Sequence, residues 1–377
     1  MKKIHYNKEL TPLKPFWHVA ASVAFCLLLL GPVAGFGQAV TMEETSGDSA
    51  DVIHYTPDQD WDFFDSDELL KMKLEFDFKE FTRGKRNPEY QKAVLKIFLT
   101  DSDSVAHDIR LRPRGIMRLD HCHFPPIKFN FKKSDSTSIY VGDETTMKLV
   151  THCRNYGDYE EWLLKEFLVY RMYNVLTDMS FKVRLVEMQY IDTGKKEKNY
   201  SKYAFLIEHK RDMAIRNDAI ALGDVNLTQK MINKKQLALM GVFQYMIGNT
   251  DWSIQGPHNV KFVRKNDVSD LIPYAIPYDF DYSGMVHTQY SIPAEGTPIE
   301  VVTQRYYFVW CLPEDILNEV FELFLEKRNE IYAVVTDFPY LEERAKEKMT
   351  RYLDEFYDIM DSERKRKQYI LDQCLDR

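Results

Sequence analysis

The sequence predicts an α+β chain of two lobes, an antiparallel-sheet N-terminal lobe with one packed helix and a mainly helical C-terminal lobe. Three observations lead there. Between residues 70 and 150, apolar residues alternate with polar ones in short runs, which is the period of half-buried strands. A wide apolar stripe over 159–176 has the period of a helix lying on a sheet. After Glu208-His209-Lys210 the longer periodic stretches are helical.

The chain has 377 residues, 45% hydrophobic and 14% aromatic, which is ample for a sizeable core. Its formal net charge is −8; residues 1–38 hold four lysines against one glutamate, so the remainder carries −11. An acidic body argues against sequence-independent nucleic-acid binding, which needs a basic surface. Residues 1–39 have a basic leader, an apolar run at 19–30, the breaker Gly31-Pro32 and small residues at Ala34, Gly35, Gly37 and Ala39, the layout of a secretory signal peptide. The run is short of the roughly 20 residues a bilayer span needs. A membrane is therefore a partner only if this segment stays uncleaved, and the protein is expected to be exported to a periplasmic, cell-surface or secreted location. Phe25 before Cys26 is too bulky for a lipid-modified cysteine.

Residues 40–65 are polar and acidic and read as a flexible lead-in. The sheet-rich lobe is assigned to 66–208 and the helical lobe to 209–377. Strands are expected at 70–78, 93–100, 107–115, 127–131 and 147–150. Asp158 and Glu161 form a capping-box pattern that opens the helix at 159–176. Further strands are expected at 183–191 and 203–207, on either side of the turn-like TGKKEKNYS. Asn233 and Gln236 cap a helix running to about Gly248, and 259–264 with 271–280 make a short strand pair. Helices at 313–331 and 339–361 precede DSERKRKQ, a basic run that reads as a solvated helix end.

With Cys26 removed, Cys122, Cys153, Cys311 and Cys374 remain, an even number in an exported chain. DHCHF and THCRN each set a histidine beside a cysteine. A Cys122–Cys153 disulfide is favoured over a zinc site of His121, His123, His152 and the two thiolates, because zinc ligands come in closely spaced pairs and these cysteines are 31 apart. Cys311 and Cys374 offer no comparable argument.

The chemistry is concentrated in 249–281. Asn249, Asp251 and Asn259 follow an apolar helix, and Asp279 and Asp281 end an apolar run. Phosphoryl transfer needs such groups: an acceptor hydroxyl must be oriented, and phosphate charge neutralised through Mg²⁺ held by Asp and Asn oxygens. Turn chemistry alone also concentrates Asn, Asp, Gly and Pro.

The chain resembles the spore coat protein H kinases, an atypical secreted kinase-like family. The resemblance lies in RPRG (112–115), PIKFNF (126–131), KLV (148–150), AFLIEHK (204–210), GNTDWSIQGPHN (248–259) and PYDFD (277–281). It implies a protein-kinase-like two-lobed fold, ATP with Mg²⁺ or Mn²⁺, and an unidentified protein substrate. It makes Asp251 the catalytic base, Asn259 and Asp279 metal ligands, and Asp281 a second metal-side candidate. A kinase-like site also needs a lysine on the sheet to meet phosphates and a glutamate on the packed helix to hold it. Lys128 is the first choice and Lys148 the second, with Glu166 as the partner. Arg114 would reach a phosphate or merely close a turn with Gly115. Glu208 would meet a base or ribose, or else form a salt bridge.

Three departures from ordinary protein kinases stand out: no G-x-G-x-x-G loop, a separation of 8 between Asp251 and Asn259, and Asp281 where glycine is usual. They keep a non-catalytic binding or scaffold protein as the alternative. A metal-dependent hydrolase built on Asp251, Asp279 and Asp281 is disfavoured by the lack of clustered histidines near them.

Overall fold

Alternating burial organises the first half of the chain. In the computed structural model, which describes residues 63–100, 102–132, 145–194, 198–223 and 225–375, β1 (Leu70–Phe76) buries Leu70, Met72, Leu74 and Phe76. β2 (Gln91–Phe98), β3 (Ser104–Pro113), β4 (Ile127–Asn130) and β5 (Thr146–Val150) continue this pattern, one side chain inward and the next outward. β6 (Val183–Asp192) and β7 (Asn199–Ile207) complete a closed barrel of order β1-β2-β3-β4-β5-β7-β6. The expected signal segment, and the lead-in up to residue 62, lie outside the described residues. Phe63 and Phe64, at the end of that lead-in, are buried against the barrel core.

Closure corrects the expected fold. The antiparallel open sheet of a kinase-like N-lobe is replaced by a seven-stranded mixed barrel, because β6 lies parallel to β1 from Leu70 opposite Val186 to Phe76 opposite Asp192. The physical cause is in β6, whose first half is buried on both faces: Val186, Met188 and Tyr190 fill the barrel while Val183 and Leu185 face outward into a second core. Such a strand pairs on both edges, and closure removes the exposed edge that β1 would otherwise present.

Two short helices, α1 (Phe78–Arg83) and α2 (Met117–His121), sit in the barrel's connections, and α3 (Tyr159–Leu176) separates β5 from β6. Asp158 precedes α3 but makes no side-chain cap bond, and Glu161 pairs with Lys165 at 2.6 Å instead of closing a capping box. Beyond β7 come α4 (Lys210–Arg216), β8 (Ala219–Ala221) and α5 (Lys234–Ile247), which Asn233 caps by accepting the Gln236 N–H at 3.1 Å. β9 (Val260–Lys265) and β10 (Tyr274–Pro277) join β8 in a small antiparallel sheet of order β10-β9-β8. The C-terminal half is therefore not simply helical. Four helices follow, α6 (Glu314–Glu326), α7 (Arg328–Thr336), α8 (Glu343–Met360) and α9 (Glu363–Tyr369), so the single helix expected at 313–331 breaks at Lys327.

The second core gathers α3, α5, the outer faces of β6 and β7, the small sheet and the C-terminal helices. Two disulfides, Cys122–Cys153 and Cys311–Cys374, staple the loops. The first removes the thiolates that the zinc alternative required, and His152 lies stacked on Phe124 at 5.1 Å. Paired cysteines are what an oxidising compartment permits. Among the described residues no helix is long and apolar enough to cross a membrane.

Candidate functional site

α5 is buried along nearly its whole length and ends at Gly248, whose left-handed conformation (φ 62°) a side chain would resist. The Gly248 N–H returns to Tyr245 O at 3.1 Å and the Asn249 N–H to Gln244 O at 2.8 Å, a Schellman stop. Asn249 is buried; its amide donates to Gln244 Oε1 and its Oδ1 accepts the Asp251 N–H, each at 3.0 Å. Asn249 therefore aims Asp251 from a buried position. The next six residues fold back through a Ser253–His258 bridge, which explains how a separation of 8 still brings Asn259 onto Asp251. Asn259 Nδ2 donates to Asp251 Oδ2 at 2.9 Å and to its carbonyl at 2.8 Å, and His258 Nε2 lies 3.0 Å from Oδ1.

Asn259 precedes β9 and the Tyr278 N–H reaches its carbonyl at 3.0 Å, so Asp279 emerges beside it. Both residues have left-handed backbones (φ 50° and 64°), a costly conformation that Asn and Asp tolerate better than most and that collects at functional sites. Asp279 is held by its N–H, which donates to the Tyr170 hydroxyl at 2.7 Å, and by Phe280, which is packed edge-on against Tyr170 and Phe243. Burial raises the Asp251 carboxyl above its ordinary value, against the opposing pull of His258, and the charge of Asp279 adds to the rise. A carboxylate so shifted is a better base.

Arg118, unnoticed in the sequence, holds the carboxylates together. Its Nη2 donates to Glu166 at 2.7 Å and to Asp279 at 3.2 Å, and its Nε donates to Asp281 at 2.8 Å. Tyr290 also donates to Asp281, at 2.9 Å. Glu166 was expected to hold a lysine; the geometry corrects this to Arg118. α2 is only five residues long and lacks an apolar period, so nothing in the local sequence announces Arg118. Three carboxylates share one guanidinium, and the consequences differ by site. Burial pushes Glu166 up to about 8 and Asp281 to about 6, each against the opposing pull of Arg118. Burial would raise Asp279 as well, but Arg118 first, then Arg114, a hydrogen bond with Asp281 and Lys148 lower it, leaving Asp279 below its ordinary value.

With Glu166 committed, the lysines stand without a carboxylate bridge. Lys128 and Lys148 are directly opposite across β4 and β5, and Arg112 is opposite Lys128 across β3, a like-charge row on the outer face. Lys148 lies over the Tyr278 ring at 4.9 Å, and Lys261 of β9 over the same ring at 5.3 Å. The Arg114 N–H bonds Pro126 O at 2.8 Å, and its guanidinium is near enough to act on both Lys148 and Asp279. Burial lowers Lys148 to about 7, with Arg114, Lys261 and Lys128 pushing the same way and Asp279 opposing. Near neutral pH this half-buried amine therefore gives up its proton more readily than an ordinary lysine.

Glu208 is already engaged by its neighbours. Its carboxylate accepts from Arg216 at 3.0 and 2.9 Å and from the Lys182 N–H at 3.0 Å, which is the salt-bridge alternative. Asp251 and Asn259 are thus joined directly, and the Tyr278–Asn259 backbone bond brings Asp279 near them, with Lys148 and Arg114 close enough to act on Asp279; Glu166 and Asp281 join Asp279 around Arg118.

No protein-family model matches the chain. A search of curated proteins likewise finds no match. The family resemblance rests on its motif residues alone.

A hard divalent cation would suit part of this set. The Asp279 side chain is 32% exposed, and with Asn259 Oδ1 it offers oxygen donors of the kind Mg²⁺ and Mn²⁺ take, with water completing the shell. Asp281 does not fit as an open ligand, since it is buried and engaged by Arg118 and Tyr290. Oxygens of Glu166, Asp279 and Asp281 lie within 4.8 Å of one another, and Arg118 supplies the positive charge among them.

Proposed function

We propose that the protein is an exported phosphotransferase that moves a nucleotide γ-phosphoryl group to a protein hydroxyl. The observation that carries this reading is geometric: Lys148 and Lys261 gather over the Tyr278 ring with Lys128 opposite Lys148, and the Tyr278 N–H bonds the carbonyl of Asn259, whose amide holds Asp251. Phosphate oxygens would meet Lys148, Arg114, Lys128 and Lys261. Asn259 and Asp279 would hold a divalent cation, whose chemistry is charge neutralisation on the phosphates. Asp251 would take the proton of the acceptor hydroxyl as its oxygen bonds to the γ-phosphorus. The bond from that phosphorus to the bridging oxygen breaks, and the nucleoside diphosphate leaves. Export is supported by the two disulfides together with the N-terminal signal pattern.

A second reading, binding without transfer, is favoured by one feature: both Asp251 oxygens already accept bonds, from His258 and Asn259. Each carboxylate oxygen retains a further lone pair, so those bonds orient Asp251 without exhausting it.

The test is transfer of labelled γ-phosphate to the protein itself and to a general protein acceptor, with Mg²⁺ or Mn²⁺. Incorporation that vanishes with a chelator is expected. Nucleotide binding without incorporation on any acceptor would favour the second reading.

A further inference from the structure

One outer face of the barrel is cationic in an acidic protein. β2, β3, β4 and β5 hold six cations, Lys92, Lys96, Arg110, Arg112, Lys128 and Lys148, against one carboxylate, Asp108, while the chain as a whole carries −8. All six point outward, since the residues on either side of each are buried. Register sets like against like: Lys92 lies opposite Arg110, Arg112 opposite Lys128, and Lys128 opposite Lys148. The carboxylates in reach are taken. Glu75 and Asp108, both opposite Val94, already meet Lys73 at 2.6 Å and Lys132 at 3.5 Å. Among the described residues Lys92, Arg110 and Arg112 make no ion pair.

Like charges directly opposite on neighbouring strands destabilise a sheet, so this row works against stability until an anionic ligand relieves it. Arg110 and Arg112 lie over the same ring, Tyr90, at 5.5 and 5.2 Å. Arg112 Nε has no hydrogen-bond partner among the described residues, and Arg110 donates from Nη2 to Asn130 Oδ1 at 2.9 Å. Two forks held beside one another in this way suit carboxylates, which a guanidinium meets with two parallel bonds. The spacing suits a polypeptide. Neighbouring strands lie about 4.8 Å apart, and alternate side chains of an extended chain recur about every 6.8 Å, so acidic residues on one face of an extended segment reach successive cations. The row also has a direction. It ends at Lys148 over Tyr278, whose N–H bonds the carbonyl of Asn259 beside Asp251, so a chain lying along it is led towards Asp251.

We infer that Lys92, Arg110 and Arg112 form a docking surface for the acceptor, and that the acceptor is an acidic polypeptide whose Asp and Glu side chains lie beside the hydroxyl it presents. The inference rests on the proposed phosphotransfer and names the class of its substrate.

Fluorescence anisotropy of a labelled synthetic peptide, a serine flanked by alternating glutamates, tests it on the full chain without nucleotide, beside a counterpart with glutamine at every glutamate. The acidic peptide is expected to bind at least about tenfold more tightly. Arg110→Gln combined with Arg112→Gln should weaken it at least about tenfold with the circular dichroism unchanged, whereas Arg364→Gln combined with Lys367→Gln, on α9, should leave it as it was. Equal affinity for the two peptides, or no loss in the Arg110 and Arg112 variant, overturns the inference. Displacement of the peptide by an equal concentration of charge on single-stranded DNA or on anionic phospholipid vesicles also overturns it, because the face would then read charge alone. The outcomes separate it from the phosphotransfer reading. Binding of the acidic peptide without transfer from any nucleotide removes the transfer and leaves the docking surface standing, whereas equal transfer to the acidic and glutamine peptides removes the inference alone.

Discussion

Asp251→Asn is expected to reduce phosphoryl transfer by about 10²–10⁴-fold, the usual contribution of a positioned general base, while metal-dependent nucleotide binding changes little. The asparagine keeps the size of the side chain and can still accept the bond from Asn259, so the loop closed by Ser253 and His258 should hold its shape. What is lost is the ability to take a proton. Burial, the first cause of the raised Asp251 pKa, also favours its accepting a proton. Asp279→Asn should behave differently, weakening binding and transfer together, because it removes charge from the metal side. Transfer rates measured beside calorimetric affinities separate the two variants; equal transfer by wild type and Asp251→Asn would remove the role given to Asp251.

Arg118→Ala is expected to destabilise the fold by about 3–5 kcal/mol at neutral pH, the usual result of stripping one partner from a buried ionic network. Glu166 and Asp281 are buried and would face Asp279 without a counter-charge. The pH dependence has a definite sign. Glu166, at about 8, and Asp281, at about 6, lie above their ordinary values of 4.5 and 3.8. Over those windows the folded chain holds protons that the unfolded chain has released, so this contribution to stability falls as pH rises. It is at its best below the ordinary carboxylate values and is lost by about pH 8; the low pKa of Asp279 works the other way. In Arg118→Ala the loss should steepen and extend to higher pH. Denaturant midpoints between pH 5 and 9 would show it, and an identical pH profile in the variant would mean that Arg118 does not neutralise these carboxylates.

Much of the barrel is legible in the sequence, because a strand with one face inward writes its period directly, as in Leu70, Met72, Leu74 and Phe76. Its closure is not legible. The parallel pairing of β1 with β6 joins residues more than a hundred positions apart, and alternation says which way a side chain points without naming the neighbouring strand. The site divides along similar lines. Asp251 and Asp279 announce themselves as polar residues just past apolar runs, and Asn259 as the polar residue before β9. The partner of Glu166 was misread because a strand pattern shows that Lys128 and Lys148 face outward but not which cation meets a helix from elsewhere. Arg118 sits in one short turn of helix, placed by long-range packing and by the Cys122–Cys153 link nearby. Lys261 and His258 were within reach: Lys261 alternates with Val260 and Phe262, and His258 adjoins Asn259.

The central claim is that the cations around Lys148 and the carboxylate of Asp279 form one metal-bridged polyphosphate site. Thermal unfolding with ATP alone, Mg²⁺ or Mn²⁺ alone, and the two together tests it most directly, since a ligand that binds only the folded chain raises its stability by mass action. A rise of at least about 3 °C that requires both components is expected at saturating concentrations. No rise with any combination of nucleotide and metal would contradict the account.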